Sequence, residues 1–144
     1  MKSIFVTEIN VPQAKLAEFY TNPENNIKWM HDLERVEHVS GQPGTIGYQY
    51  RLVPKKGNMI FVAKLEYIDL PNGAQVLLES SNVNVLVTGT FFAISPEKTR
   101  FISEEIFTFK GIFNQIFGFL AQHAIKKAHF KHMNDFREVV KDLK

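Results

Sequence analysis

The apolar residues of this chain keep two different periods, and the change between them comes once, near Ile112. Up to Phe109 they mostly alternate, as in half-buried strands; from Ile112 onward they recur every three or four residues. Ile46, Tyr48, Tyr50 and Leu52 alternate with Gly47, Gln49, Arg51 and Val53, and Met59, Phe61, Ala63, Leu65 and Tyr67 share one face of the next segment. After the switch, Ile116, Phe117, Leu120, Ala121, Ala124, Ile125, Ala128, His132, Phe136, Val139 and Leu143 trace one helical stripe. A helix of about thirty residues would be about 45 Å long, enough to cross a strongly bent sheet on the diagonal.

Strands are predicted at Ser3–Ile9, Leu33–Val39, Ile46–Val53, Met59–Tyr67, Gln75–Ser81, Val83–Ile94 and Thr99–Phe109. Turns at Gly41–Gly44, Pro54–Asn58, Pro71–Gly73, Ser81-Asn82 and Ser95–Lys98 leave only short connections, which favours an antiparallel meander. Pro12 suits the first turn of a helix running to Tyr20, and a second short helix spans Asn22–Met30. The expected architecture is α+β: about seven antiparallel strands curved around a long C-terminal helix, with two short helices between strands 1 and 2. Residues 1–144 read as one domain, without repeat or linker.

Phenylalanine is the anomaly of composition. Thirteen Phe supply most of a 12% aromatic fraction. So much rigid apolar area needs either a generous core or a lined cavity. Trp29, Tyr48, Tyr50, Phe61, Phe101 and Phe107 are expected to point between sheet and helix, joined from the helix by Phe113, Phe117 and Leu120. Between the adjacent Phe91 and Phe92, the reading favours Thr90, Phe92 and Ile94 inward. Packed solidly, the same rings would make a plain core.

Glu105 is the sharpest candidate. If Phe101, Phe107 and Phe109 face inward, alternation carries Ser103 and Glu105 inward with them. A carboxyl there would bind a ligand hydroxyl or act as a general acid/base with a raised pKa; alternatively it pairs with Arg100, Arg51 or a lysine at the rim, or a bulge turns it outward.

Other chemistries find little in the chain. It has no cysteine, so thiolate metal sites, disulfides and Cys nucleophiles are excluded, which suits a reducing cytoplasm. His129, His132 and Asp135 share a helix face, but Lys126, Lys127 and Lys131 stand beside them, and the group reads as a solvated face; no metal is expected. Nucleophile elbow, phosphate loop and dinucleotide fingerprint are missing, so no cofactor is expected. A net charge of +2 is too slight for nucleic acid. The N-terminus lacks a signal peptide's apolar segment, and no apolar run approaches the ~20 residues of a membrane span. Lys126–Lys131 is basic and amphipathic, as for an anionic membrane surface, but the sheet is expected to occupy the apolar face.

The order strand, two short helices, six strands, long helix resembles the START-like superfamily, also called SRPBCC or helix-grip. The resemblance rests on Val11-Pro12 after the first strand, Trp29 closing the second helix, and E-x-x-x-G-x-x-G-x-x-G from Glu37 to Gly47. It extends to S-P-x-K-T-x-F from Ser95 to Phe101 and a final F-R-x-x-V-K-x-L-K. It covers nearly the whole chain and is nearest to the bacterial polyketide-cyclase/dehydrase-like branch. It implies a hydrophobic small molecule or lipid held between sheet and helix. The alternatives it implies are a cyclase/dehydratase-like enzyme using Glu105, and a protein-interaction module of the Hsp90-activator type. A homodimer is left open.

Overall fold

The computed structural model describes residues 1–57 and 59–143. The chain runs β1 (Lys2–Ile9), α1 (Gln13–Thr21), a single turn of tighter helix (Pro23–Asn25) leading into α2 (Asn26–Trp29), and β2 (Leu33–Ser40). Then follow β3 (Gln49–Pro54), β4 (Phe61–Asp69), β5 (Gly73–Glu79), β6 (Val83–Ser95), β7 (Lys98–Phe109), α3 (Gly111–Leu120) and α4 (Gln122–Val140). All seven strands form one antiparallel sheet in the order β1-β7-β6-β5-β4-β3-β2. The hairpin turn at Pro54–Asn58 is described except for Asn58, which lies outside the described residues.

This order puts the first two strands at opposite edges, joined only by residues 10–32. Seven strands about 4.8 Å apart would separate those edges by roughly 29 Å if the sheet were flat. The link folds into the short helices, α1 packing over β6 and β7 and α2 on β2 and α4. Pro12 precedes α1 without disturbing it, and the Asn22 side chain accepts a hydrogen bond from the Glu24 amide at 3.1 Å to start the next turn.

Strand period decides what faces inward. In β1, Ser3, Phe5, Thr7 and Ile9 are buried while their neighbours are exposed. Two apolar clusters result. One joins Phe5, Ile9, Phe91 and Phe101 of the sheet to Leu16 and Ala17 of α1 and to Met133, Phe136 and Val140 of α4. The other gathers Leu33, Tyr48, Tyr50, Leu52, Ala63 and Leu65 near the β2 edge.

Several sequence expectations are corrected here. Phe92 is 51% exposed and Ile94 44%, while Phe91 is 1% exposed and stacks on its cross-strand partner Phe101 with ring centroids 5.2 Å apart. Counting in twos from the buried Val83 and Val85 gives this register directly. Tyr67 also turns outward, because the β4–β5 pairing slips between Leu65 and Tyr67. Such a bulge reverses every later side chain on the strand, and Ile68 packs inward instead. Ile46 is 65% exposed, in the turn before β3.

The single C-terminal helix is two. At Ala121 the backbone moves to φ −93°, ψ 6°, ending α3 before α4 begins. No proline or glycine marks the break. On one side of it Gly118 seats α3 against Phe109; on the other, Met133, Phe136 and Val140 seat α4 in the core. Because α3 takes a separate course, Phe113, Phe117 and Leu120 are 85%, 66% and 77% exposed.

Candidate functional site: an apolar cavity with a carboxyl–imidazole pair

A cavity of about 620 Å³ lies between the sheet and α4, walled by residues of every strand from β2 to β7 and closed on one side by α2. Its surface is mainly apolar: Leu65, Val76, Leu78, Val85 and Val87 from the sheet, with Ile125 and Met133 from α4. Small-molecule sites combine such a lining with a few convergent polar groups.

Here the polar groups are few. Glu105 reaches the cavity from β7 with its side chain 17% exposed. Its register is fixed by β1, where Ser3 stands directly opposite, and by β6, where Val87 does. Desolvation in this apolar setting raises the carboxyl to about 7. His129, one turn before Met133 on α4, is 1% exposed. Its Nδ1 lies 2.7 Å from the Ser3 hydroxyl, and its Nε2 lies 2.9 Å from the Ser103 hydroxyl and 3.8 Å from Glu105 Oε2. A neutral imidazole donates from one nitrogen and accepts at the other, and each serine hydroxyl can take the complementary role.

Burial, with the nearby His132 charge, lowers His129 to about 4. The usual order is therefore inverted: near neutrality the carboxyl holds a proton more readily than the imidazole does. An apolar cavity favours this neutral pairing, since separating charge there would cost more than the contact returns. Across the site, burial also raises the Tyr50 phenol to about 12 and the Tyr20 phenol further, the latter helped by the Glu105 charge.

Of the residues singled out from sequence, Trp29, Tyr48, Tyr50, Phe61, Glu105 and Phe107 line the cavity. Phe101 faces inward but is consumed by the solid cluster, between the rings of Phe91, Tyr20 and Phe136. Phe92, Phe113, Phe117 and Leu120 stand outside the cavity altogether, for the reasons of register and helix break given above.

No sequence-family model and no curated protein matches the chain. Solved structures do. A Thermus thermophilus protein superposes with a TM-score of 0.77 at 16% identity over 97% of each chain. A START superfamily protein from Mycobacterium smegmatis gives 0.73 at 10% identity, covering 97% of this chain and 94% of that one. The chain has the START-like, helix-grip fold. Norcoclaurine synthase from Thalictrum flavum, in complex with dopamine and hydroxybenzaldehyde, shares it with a TM-score of 0.74 and 13% identity, over 100% of this chain and 88% of that one. Likeness at these identities establishes the START-like architecture alone, so the chemistry rests on the cavity's own residues.

Within this START-like frame, sequence reasoning missed His129. The sequence places it on a solvated face with His132 and Asp135, whereas it is buried, His132 lines the cavity, and Asp135 pairs outward with Lys131 at 2.8 Å. The signal was in the helix phase: stepping back from Val140 through Phe136 and Met133 by four, three and four residues reaches His129. Alternation already turns Ser103 inward, but nothing local points to its meeting with Ser3 at the imidazole, which needs β1, β7 and α4 brought together. Among the described residues no three His, Asp or Glu side chains are grouped to hold a metal ion, and no helix is long and apolar enough to cross a membrane.

Proposed function

We propose that this protein binds an apolar small molecule, a lipid, fatty acid or polycyclic aromatic compound, in the cavity between sheet and α4. The observation that carries the reading is a cavity of about 620 Å³ with an apolar lining and one carboxyl held near neutrality inside it. The apolar body would lie against Trp29, Phe61, Val85 and Phe107, with its polar end toward Glu105, Tyr48 and Tyr50. The buried indole N–H of Trp29 has no hydrogen-bond partner among the described residues, which favours a ligand bearing an acceptor. The absence of cysteine supports a cytoplasmic place of action.

The test is extraction of the protein from its native host with mass spectrometry of what accompanies it, and titration with anilinonaphthalene sulfonate. Bound apolar ligand and a fluorescence gain are expected. Val87→Trp, which puts an indole into the cavity opposite Glu105, should abolish the gain while the protein still melts cooperatively. Empty protein that shifts no probe would overturn the reading.

A second reading is favoured by the inverted carboxyl–imidazole pair: a cyclase- or dehydratase-like enzyme in which Glu105 transfers a proton. A carboxyl with a pKa of about 7 is suited to both halves of such a transfer near neutral pH. Among the described residues no arginine pairs with Glu105; its neighbour is the His129 imidazole, 3.8 Å away. Glu105→Gln should then remove turnover of a polyketide-type substrate while preserving probe binding; equal loss of both would assign Glu105 to binding. The interaction-module reading expects a filled core and an exposed apolar patch in place of a cavity; the cavity speaks against it, although α3 does expose apolar side chains.

A further inference from the structure

Helix α3 carries its polarity inside out. Asn114 and Gly118, four residues apart, face the protein. Gly118 lies flat against the Phe109 ring, where a β-carbon would come within 2.5 Å of ring atoms, and Asn114 Nδ2 donates to the Lys110 carbonyl at 2.8 Å. Ile112, Phe113, Ile116, Phe117, Phe119 and Leu120 face solvent, with exposures from 54% to 85%. An ordinary surface helix buries such a stripe, and contiguous exposed apolar area of this kind marks a binding surface.

Along the chain, the charge carried by this helix's flanks has one sign. From Ile106 to Asn134 the chain contains no Asp or Glu, while Lys110, Lys126, Lys127 and Lys131 in that stretch are all exposed. Lys131 is paired with Asp135 and the exposed Lys110 ammonium donates to the Ser80 carbonyl; Lys126 and Lys127 follow α3 within two turns of its end.

We propose that α3 docks this protein on an anionic lipid bilayer, its aromatic and aliphatic side chains lying in the headgroup–acyl boundary and Lys110, Lys126 and Lys127 meeting lipid phosphates. An amphipathic apolar helix flanked by lysines is the physical recipe for interfacial binding. Charge argues against a second copy as the occupant: a closed dimer sets one patch on itself, bringing lysines toward lysines with no acidic residue of the stretch to answer them. The apolar face of α4 is covered by the sheet, but α3 presents a face of its own. Phe107 and Ile125, which flank α3 in the chain, both line the cavity, so docking sets one end of the cavity beside the bilayer. The proposal holds whatever the cavity carries.

Flotation of the full chain with vesicles of equal parts phosphatidylglycerol and phosphatidylcholine, and with phosphatidylcholine alone, tests it. The protein should float with the anionic vesicles, less so with the neutral ones, and less as salt rises. Phe113→Ser with Phe117→Ser, and separately Lys126→Glu with Lys127→Glu, should each weaken the anionic binding by roughly tenfold or more. All four residues are exposed, so both variants should keep the wild-type melting temperature. Wild-type protein that stays with the solvent, or variants that float equally well, would overturn the proposal. So would sedimentation velocity showing a dimer that the double Phe variant dissociates, without any vesicle binding.

Discussion

Glu105 and His129 pull stability in opposite directions as pH changes. The carboxyl moves from an ordinary 4.5 to about 7, so the folded state holds its proton longer, and stability falls as pH rises from about 4.5 to about 7. The imidazole moves from 6.5 down to about 4, so the unfolded state binds the proton first, and stability falls as pH drops from 6.5 toward 4. Between about 4.5 and 6.5 the two slopes oppose, and this pair should leave wild-type stability nearly flat. Glu105→Gln removes one slope. Urea unfolding across pH should then show stability climbing from about pH 4 to 6.5, and above pH 7 the variant should exceed wild type by roughly 2 kcal/mol. A wild-type-like profile would mean that the carboxyl is not desolvated.

The adjacent Phe91 and Phe92 make a second test at this scale. Phe91 is enclosed by Tyr20 and Phe101, so Phe91→Ala should lose about 3–5 kcal/mol of unfolding free energy. Phe92 lies on the outer face, and Phe92→Ala should change it by no more than about 0.5 kcal/mol. Similar losses from both would mean the strand is out of register. Two neighbours of one type differ this much because strand alternation, and nothing in the side chain, assigns them to faces.

Among the elements, α3 is the one held by least. Its protein side is Gly118 against Phe109 and Asn114 near Lys110, with little else buried. Gly118→Val forces a branched side chain into the Phe109 ring, so α3 should lift while α4 stays in place. Hydrogen exchange should show α3 amides exchanging about tenfold faster or more, with α4 amides at Met133–Val140 unchanged. Loss of protection in both would mean that they open as one unit. The same elements show where periodicity ran out. The shared apolar period through Ala121 reads as one helix, and only the separate seats on either side reveal two. Into β4, the residues from Met59 to Tyr67 alternate without fault in the sequence, yet the bulge before Tyr67 follows from the strand's pairing with β5.

At the scale of the whole molecule, the cavity is a defect in packing that a ligand would fill. Native cores are close-packed, and an apolar space of about 620 Å³ forfeits contacts that an occupant would restore. A ligand that binds only the folded state, present at about a hundred times its dissociation constant, should add roughly 2.7 kcal/mol to unfolding. For a chain of this size that amounts to a rise in Tm of several degrees, read by differential scanning fluorimetry. Val87→Trp should show no such rise with the same ligand.

The amino-acid sequence by itself determined the element order, the antiparallel sheet and the inward direction of Trp29, Tyr48, Tyr50, Phe61, Glu105 and Phe107, because alternation and helical spacing are local properties of the chain. Tertiary structure decided the rest. The Ser3–His129–Ser103 chain joins β1, β7 and α4 across more than a hundred residues of sequence. The bend at Ala121, which sends Phe113, Phe117 and Leu120 to the surface, comes from where Phe109 and the main core lie. Whether an aromatic ring fills a core, lines a cavity or faces solvent depends on what stands opposite it, and only the folded chain supplies that neighbour.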